Sequence, residues 1–253
     1  MSNYHKILFI GGLHRSGTSI LSSMISSSKN VSAFNNTSVP ENEGQHLQTI
    51  YKPAHEHGGP GKFAFDETAI LTEKSHLINK KNKKTIFQEW SSYWDLSKEI
   101  LLEKSPPNMI RTRFLQSLFP NTYFVTIIRH PLFVSFATQK WTRAPIENLL
   151  EHWICAHKIY FHDKSHLKKS ITICYEELIK SPGKVLQLID SFLGTEIEYE
   201  NQFVDNNIRY LDMWNSNYIS VADKNGLVKK YEKKLNDFGY SLLDFNLCPD
   251  FND

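Results

Sequence analysis

Cysteine is scarce in this 253-residue chain: there are three, Cys155, Cys174 and Cys248, with no C-x-x-C pair among them. That count excludes a thiolate metal site and the disulfide framework of small secreted domains. It predicts reduced thiols in a cytoplasmic protein, packed as small apolar residues. Long hydrophobic runs are missing as well. The first apolar run, Ile7, Leu8, Phe9 and Ile10, is too short for a secretory core, and no stretch reaches membrane-spanning length. Neither sign of charge dominates: 29 Lys and Arg stand against 27 Asp and Glu, and a net +2 is too small to argue for nucleic acid. There is no internal repeat and no long low-complexity tract. What is present is 40% hydrophobic and 22% charged residues, enough for one large α/β domain over residues 1–253 with a well-filled core.

The stretch that organises the chain follows that first apolar run: Gly11, Gly12, Leu13, His14, Arg15, Ser16, Gly17, Thr18, Ser19. A strand, a glycine-rich turn and a helix make an anion cradle, because the N–H groups at the helix start point outward and the helix dipole favours negative charge there. Gly12, four residues, Gly17, one slot and Ser19 reproduce the spacing of the P-loop. The slot that holds Lys in a P-loop holds Thr18, and the cation has moved forward to Arg15. The loop reads as built for phosphate, but not for the end of a nucleoside triphosphate.

Helical spacing of Ile20, Leu21, Met24 and Ile25 continues from the loop, and residues 31–34 are a short strand candidate. Loop chemistry at 35–40 runs into Glu41, Asn42, Glu43, Gly44, Gln45 and His46. Residues 51–98 differ in character, with a glycine-proline break at 58–61, scattered aromatics and a basic run at 80–84. They read as an insertion packed over the sheet edge, in a position to cover an acceptor. Alternation then resumes. Strand candidates at 100–103, 122–128 and 171–175 are separated by helical stripes, including Ile110, Phe114, Leu115 and Leu118, and a helix through Trp141, which is assigned to the core. Lys224, Asn225 and Gly226 read as a turn before a basic helix at 227–235. Strands alternating with helices imply a P-loop-like parallel sheet flanked by helices on both faces, with ligands at the carboxyl ends of the strands. The glycine loop, Lys104 and Arg129 each follow a strand candidate and fall on that rim.

These segments, in this order, resemble the PAPS-dependent sulfotransferases, and more closely the tyrosylprotein and bacterial carbohydrate branches than the cytosolic phenol branch. The loop Arg15, Ser16, Gly17, Thr18, Ser19 is similar to that family's 5′-phosphosulfate loop. The run from Tyr123 to Pro131, closing on Ile127, Ile128, Arg129, His130, resembles its 3′-phosphate motif. Leu102, Glu103, Lys104, Ser105, Pro106 resembles the strand end that carries a lysine near the transferred sulfuryl group. Tyr175, Glu176, Glu177, Leu178 resembles its late strand-to-helix segment.

The resemblance implies sulfuryl transfer from PAPS, without a metal, to a hydroxyl of a carbohydrate, small molecule or peptide, an amine ranking second. It also implies the site. The nucleotide set is Arg15, Ser16, Gly17, Thr18, Ser19, Arg129, Ser135 and Tyr175, and the catalytic set is Glu43, Glu41, Lys104 and Arg15. Two departures qualify this. Eight residues after the motif arginine the family has Ser where this chain has Ala137, with Ser135 and Thr138 nearby. Pro106 stands where the phenol branch has its histidine base. The base therefore falls to residues 39–46, where the tyrosylprotein branch has a Glu: Glu43 first, since Gly44 lets the backbone approach a ligand, then Glu41, then His46. The rival readings are a P-loop small-molecule kinase, opposed by the missing Lys at Thr18 and the lack of a Walker-B-type Asp, and a non-catalytic nucleotide or RNA-binding module.

Overall fold

The computed structural model describes residues 5–198 and 204–252. In chain order its elements are β1 Lys6–Gly11, α1 Thr18–Ile25, β2 Val31–Ala33, α2 Lys80–Ser91, β3 Ile100–Lys104, α3 Thr112–Leu118, β4 Thr122–Ile128, α4 Pro131–Thr142, α5 Ile146–Lys164, β5 Ser170–Cys174, α6 Tyr175–Lys180, α7 Pro182–Leu193, α8 Ile208–Asn215 and α9 Val221–Asn236. The strands form one five-stranded sheet in the order β2-β3-β1-β4-β5, every pair parallel. Both faces are covered, as the apolar strands require. Leu8 and Ile10 of β1 pack with Leu21, Met24 and Ile25 of α1 and with Val185 and Ile189 of α7. Ile7 and Phe9 point the other way, into a cluster with Trp90 of α2 and Phe114, Leu115 and Leu118 of α3.

β1 sits at the switch point of this sheet, with β3 on one side and β4 on the other. The loops leaving the carboxyl ends of these three strands diverge there, and a crevice opens between them. A third cluster joins α4, α5, α8 and α9 beyond the sheet, with Phe63, Trp153 and Tyr231 fully buried.

Residues 51–98 contain short 3₁₀ turns and then α2, which Asn79 caps by accepting a hydrogen bond from Asn82 N–H at 2.9 Å. The basic run lies on the solvent side of the first turns of α2, while Ile86 and Trp90 face the sheet. The segment touches edge strand β2, where Asp95 N–H donates to Ser32 Oγ at 2.8 Å, and Trp94 Nε1 donates to Leu102 O of β3 at 2.9 Å, but its aromatic residues lie mainly across a sheet face. The expected turn at Lys224, Asn225 and Gly226 is interior to α9. Ser220 caps that helix, accepting from Asp223 N–H at 3.1 Å, and the tertiary contacts of Leu227, Tyr231 and Leu235 outweigh the ~1 kcal/mol penalty of one helical glycine. At the other edge, Asn252 folds back on β5, its Oδ1 accepting from Thr172 N–H at 2.8 Å and its Nδ2 donating to Thr172 O at 2.7 Å. No helix among the described residues is long and apolar enough to cross a membrane.

Candidate active site

The crevice is a cavity of about 800 Å³ whose walls come from the loop after β1, the segment 39–46, the turns at 54–60, and helices α4 and α8. Gly17 is the first reason the loop can form. Its φ is +104°, and a Cβ there would lie 2.7 Å from the Tyr175 ring, so only glycine lets α1 start against that tyrosine. No side chain caps α1 and no acid lies in its own first turn, so its N-terminal N–H groups face the cavity with only the exposed Glu41 carboxylate, held by Ser19 Oγ, nearby. Ser16 Oγ is occupied, donating to Leu13 O within the loop. Thr18 and Ser19 line the cavity. Arg15 adopts φ +72°, a left-handed conformation uncommon for a residue with a side chain, and its guanidinium stacks on the Trp141 ring at 4.0 Å. Trp141 is therefore not a core residue: it is 54% exposed and lines the cavity one helical turn from Ala137.

Arg129 follows β4 and is 5% exposed. Its Nε donates to Asn207 Oδ1 at 2.8 Å and its Nη1 to Arg15 O at 2.9 Å. The flipped backbone of Arg15 thus presents the carbonyl that holds Arg129. The guanidinium lies over Tyr175 at 4.3 Å and is 5.6 Å from the Tyr210 ring centre. Its third nitrogen, Nη2, is buried without a partner among the described residues. Burial pulls the Arg129 pKa down, opposed by Tyr175 and Glu176, so the charge is held where an anion would be welcome. Behind it Glu176 Oε1 accepts from His130 N–H at 3.0 Å and from Asn207 Nδ2 at 3.2 Å, fixing the asparagine that orients the arginine. Ser135 lies elsewhere. It is buried, its Oγ donates to Pro131 O at 2.7 Å, and it borders a small separate void with Leu13 and His152. On α4 it is Ala137 that faces the cavity, so the helix offers no hydroxyl there.

The opposite wall carries the acids. Glu43 is 6% exposed; its Oε1 accepts from Lys104 Nζ at 3.2 Å and its Oε2 from Gln45 Nε2. Burial raises its pKa, against the pull of Lys104. Lys104 Nζ also donates to Glu41 O at 2.9 Å, which ties three of the expected residues together across 61 and 63 positions of sequence. Lys104 does not itself line the cavity but contacts Glu41 and Glu43, which do, and it borders a neighbouring depression of about 620 Å³. Glu41 is exposed at φ +53°, and its Oε2 accepts from Ser19 Oγ at 3.3 Å. His46 Nε2 stands 4.0 Å from Glu43 Oε2; burial, then His55 and Lys104, lower its pKa.

Gly44 has a different purpose from the one its neighbourhood in sequence implied. It approaches not a ligand but Glu103, whose Cγ lies 2.4 Å from where a Cβ would be. Glu103, fully buried, accepts from Gly44 N–H at 2.9 Å, from Ser105 Oγ at 2.5 Å and from Asn108 Nδ2. It is pushed up to about 7 by burial. This carboxyl sets the segment that presents Glu43. Sequence reasoning missed it, and missed Asn206, just before α8, and Arg209 and Tyr210 on α8, all of which line the cavity. The spacing of Tyr210 and Trp214, both buried, was the available signal for that helix. His14 was missed too: its Nδ1 is buried without a partner, and burial, then Lys104, holds its pKa down at about 3.

A model of a family described as the sulfotransferase family matches residues 8–199. Among solved structures, the sulfotransferase domain of the Synechococcus PCC 7002 olefin synthase is similar at 19% identity and a TM-score of 0.58, with 95% of this chain and 97% of that one covered. A mouse sulfotransferase complexed with PAP is similar at 14% identity and a TM-score of 0.51, with 93% and 86% covered.

Proposed function

This chain belongs to the sulfotransferase family, and on that premise we propose that it transfers the sulfuryl group of PAPS to the hydroxyl of an acceptor. The observation that carries the nucleotide half is the buried, unpartnered Nη2 of Arg129. A charged donor without an acceptor is expensive in a protein interior, and a phosphate oxygen satisfies it with a charge-assisted bond. PAPS fits this arrangement: Arg129 holds the 3′-phosphate, with Tyr175 and Tyr210 beside its guanidinium and Arg209 and Asn206 at the rim. The start of α1, with Arg15, Thr18 and Ser19, holds the 5′ side. Ser16 contributes its backbone, since its hydroxyl is used within the loop. Bound there, PAPS supplies the activated sulfuryl group.

The chain's own residues supply the rest. Glu43 takes the proton of the acceptor hydroxyl at a carboxylate oxygen facing the cavity. Lys104 favours the ionised form of that carboxylate, against its burial, and holds a positive charge beside it. Glu41, exposed and engaged by Ser19, guides the acceptor at the mouth and is the second choice for the base. Acceptors are hydroxyls of carbohydrates, small molecules or peptides.

The test is calorimetric titration with PAP and, separately, with Mg-ATP. PAP binds, with unchanged affinity in EDTA. Metal-dependent ATP binding without PAP binding overturns the proposal in favour of a kinase.

A further inference from the structure

The cysteines are few, but two of them meet. Cys174 ends β5 and is buried, whereas Cys248 lies in the exposed segment after α9. Their Sγ atoms stand 3.1 Å apart, across 74 positions of sequence. A disulfide needs about 2.05 Å between sulfurs, so ~1 Å of side-chain movement closes the bond. A cavity of about 260 Å³ is lined by both cysteines, and Cys248 is exposed to solvent. Cys155, on α5, is distant in role: its Sγ donates to Ala64 O.

The pair also adjoins the polar network behind Arg129. The Cys174 S–H has two acceptors in reach, Cys248 Sγ and Glu176 Oε2, the latter at 3.3 Å. Tyr240 OH donates to the same carboxylate oxygen at 3.3 Å. The other oxygen of Glu176 holds Asn207, and Asn207 holds Arg129. A change of bonding at Cys174 therefore reaches the arginine through two side chains.

We propose that Cys174 and Cys248 are a modification site that reacts with a small organic disulfide, such as oxidised glutathione, to form an intramolecular disulfide that loosens the support of Arg129. The exposed Cys248 thiolate attacks one sulfur of the reagent, whose S–S bond breaks; a mixed disulfide forms and one reagent thiol leaves. Cys174 then loses its proton to solvent and attacks Cys248 Sγ, releasing the second reagent thiol. Two protein thiols lose two electrons and two protons, and one reagent disulfide becomes two thiols. The order follows from access, and it agrees with the lowered pKa of Cys248, which the Cys174 S–H bond favours. Once oxidised, Cys174 has no proton to give Glu176.

The thiol half of this proposal is independent of the nucleotide reading; the link to Arg129 rests on it. The folded full chain is incubated with oxidised glutathione, alkylated, digested and analysed by mass spectrometry. The expected result is a peptide joining Cys174 to Cys248, with Cys155 alkylated and no crosslink in Cys248→Ser. A mixed disulfide that persists at Cys248, or oxidation of Cys155 in preference, overturns the assignment. Titration with PAP then compares the two forms. The oxidised form binds roughly two- to tenfold more weakly, the range for one lost hydrogen bond, and dithiothreitol restores it. Equal affinities overturn the link to Arg129. A reduced protein that binds no PAP overturns the nucleotide reading together with that link, while the crosslinked peptide still decides the disulfide.

Discussion

Replacing Arg129 by alanine separates recognition of a 3′-phosphate from mere support of the loop. Two of the guanidinium nitrogens serve the protein, at 2.8 Å from Asn207 Oδ1 and 2.9 Å from Arg15 O, and the third is free for a ligand. Loss of a hydrogen bond to a charged partner costs about 1.5–3 kcal/mol, so PAP affinity falls about ten- to hundredfold. The substitution also strips the Arg15 carbonyl of its donor, which relaxes the 5′ loop and touches every adenine nucleotide. The control is therefore AMP, which shares the 5′-phosphate and lacks the 3′-phosphate. Calorimetry on wild type and Arg129→Ala with both ligands gives the ratio of the two affinities. The expected result is that the preference for PAP over AMP collapses while AMP binding changes by only about twofold. Equal weakening of both ligands refutes the reasoning and leaves Arg129 as a brace for Arg15. Arg129→Lys is expected to recover little, because an ammonium cannot hold Asn207 and the loop carbonyl and still present a second donor.

Glu43→Gln is expected to lower kcat by roughly 10²–10⁴-fold with PAP affinity nearly intact, and Glu41→Gln and His46→Ala far less; wild-type turnover in Glu43→Gln removes it as the base. Because burial raises the Glu43 pKa, turnover is lost as pH falls through that raised value, and a pH profile that stays level on its acid side contradicts the assignment. Lys104→Ala lowers kcat more than it weakens PAP, since its partners are Glu43 and the Glu41 carbonyl; steady-state turnover set beside calorimetry checks this, and unchanged kcat refutes it. Glu103 gives a stability signature of unusual sign. Its pKa, about 7 in the folded protein against an ordinary 4.5, means that the folded state binds the proton more tightly, so its contribution decreases as pH rises from about 4.5 to 7. Denaturant unfolding of wild type and Glu103→Gln across that range isolates this contribution: the stability of wild type relative to the variant should fall as pH rises from about 4.5 to 7, and a difference that is level or grows refutes it.

The sheet and its rim were legible because strands buried on both faces leave continuous apolar runs, and because glycine, lysine and arginine follow those runs directly. Local pattern identifies that much. It does not reveal partners 61 positions apart, which is why the Lys104–Glu43 pair emerges only from the fold. Trp141 was misassigned by the general preference of helical aromatics for the interior. The stripe it shares with Ala137 faces a cavity instead, and the ring covers an arginine there. Gly44 was recognised as a close-approach position, but the approaching group, the Glu103 side chain, comes from another strand. Gly226 read as a turn because composition alone cannot register the tertiary contacts that keep α9 continuous.

The outer edge of β5 is closed by a single amide. Asn252 offers Thr172 one acceptor and one donor, the same pair of groups that a neighbouring peptide would offer. An uncovered parallel edge is a template on which strands of other molecules can assemble. Here a side chain occupies the register position at which such growth would start. The asparagine amide thus fills one position of the open edge, satisfying the Thr172 peptide groups there without adding a sixth strand.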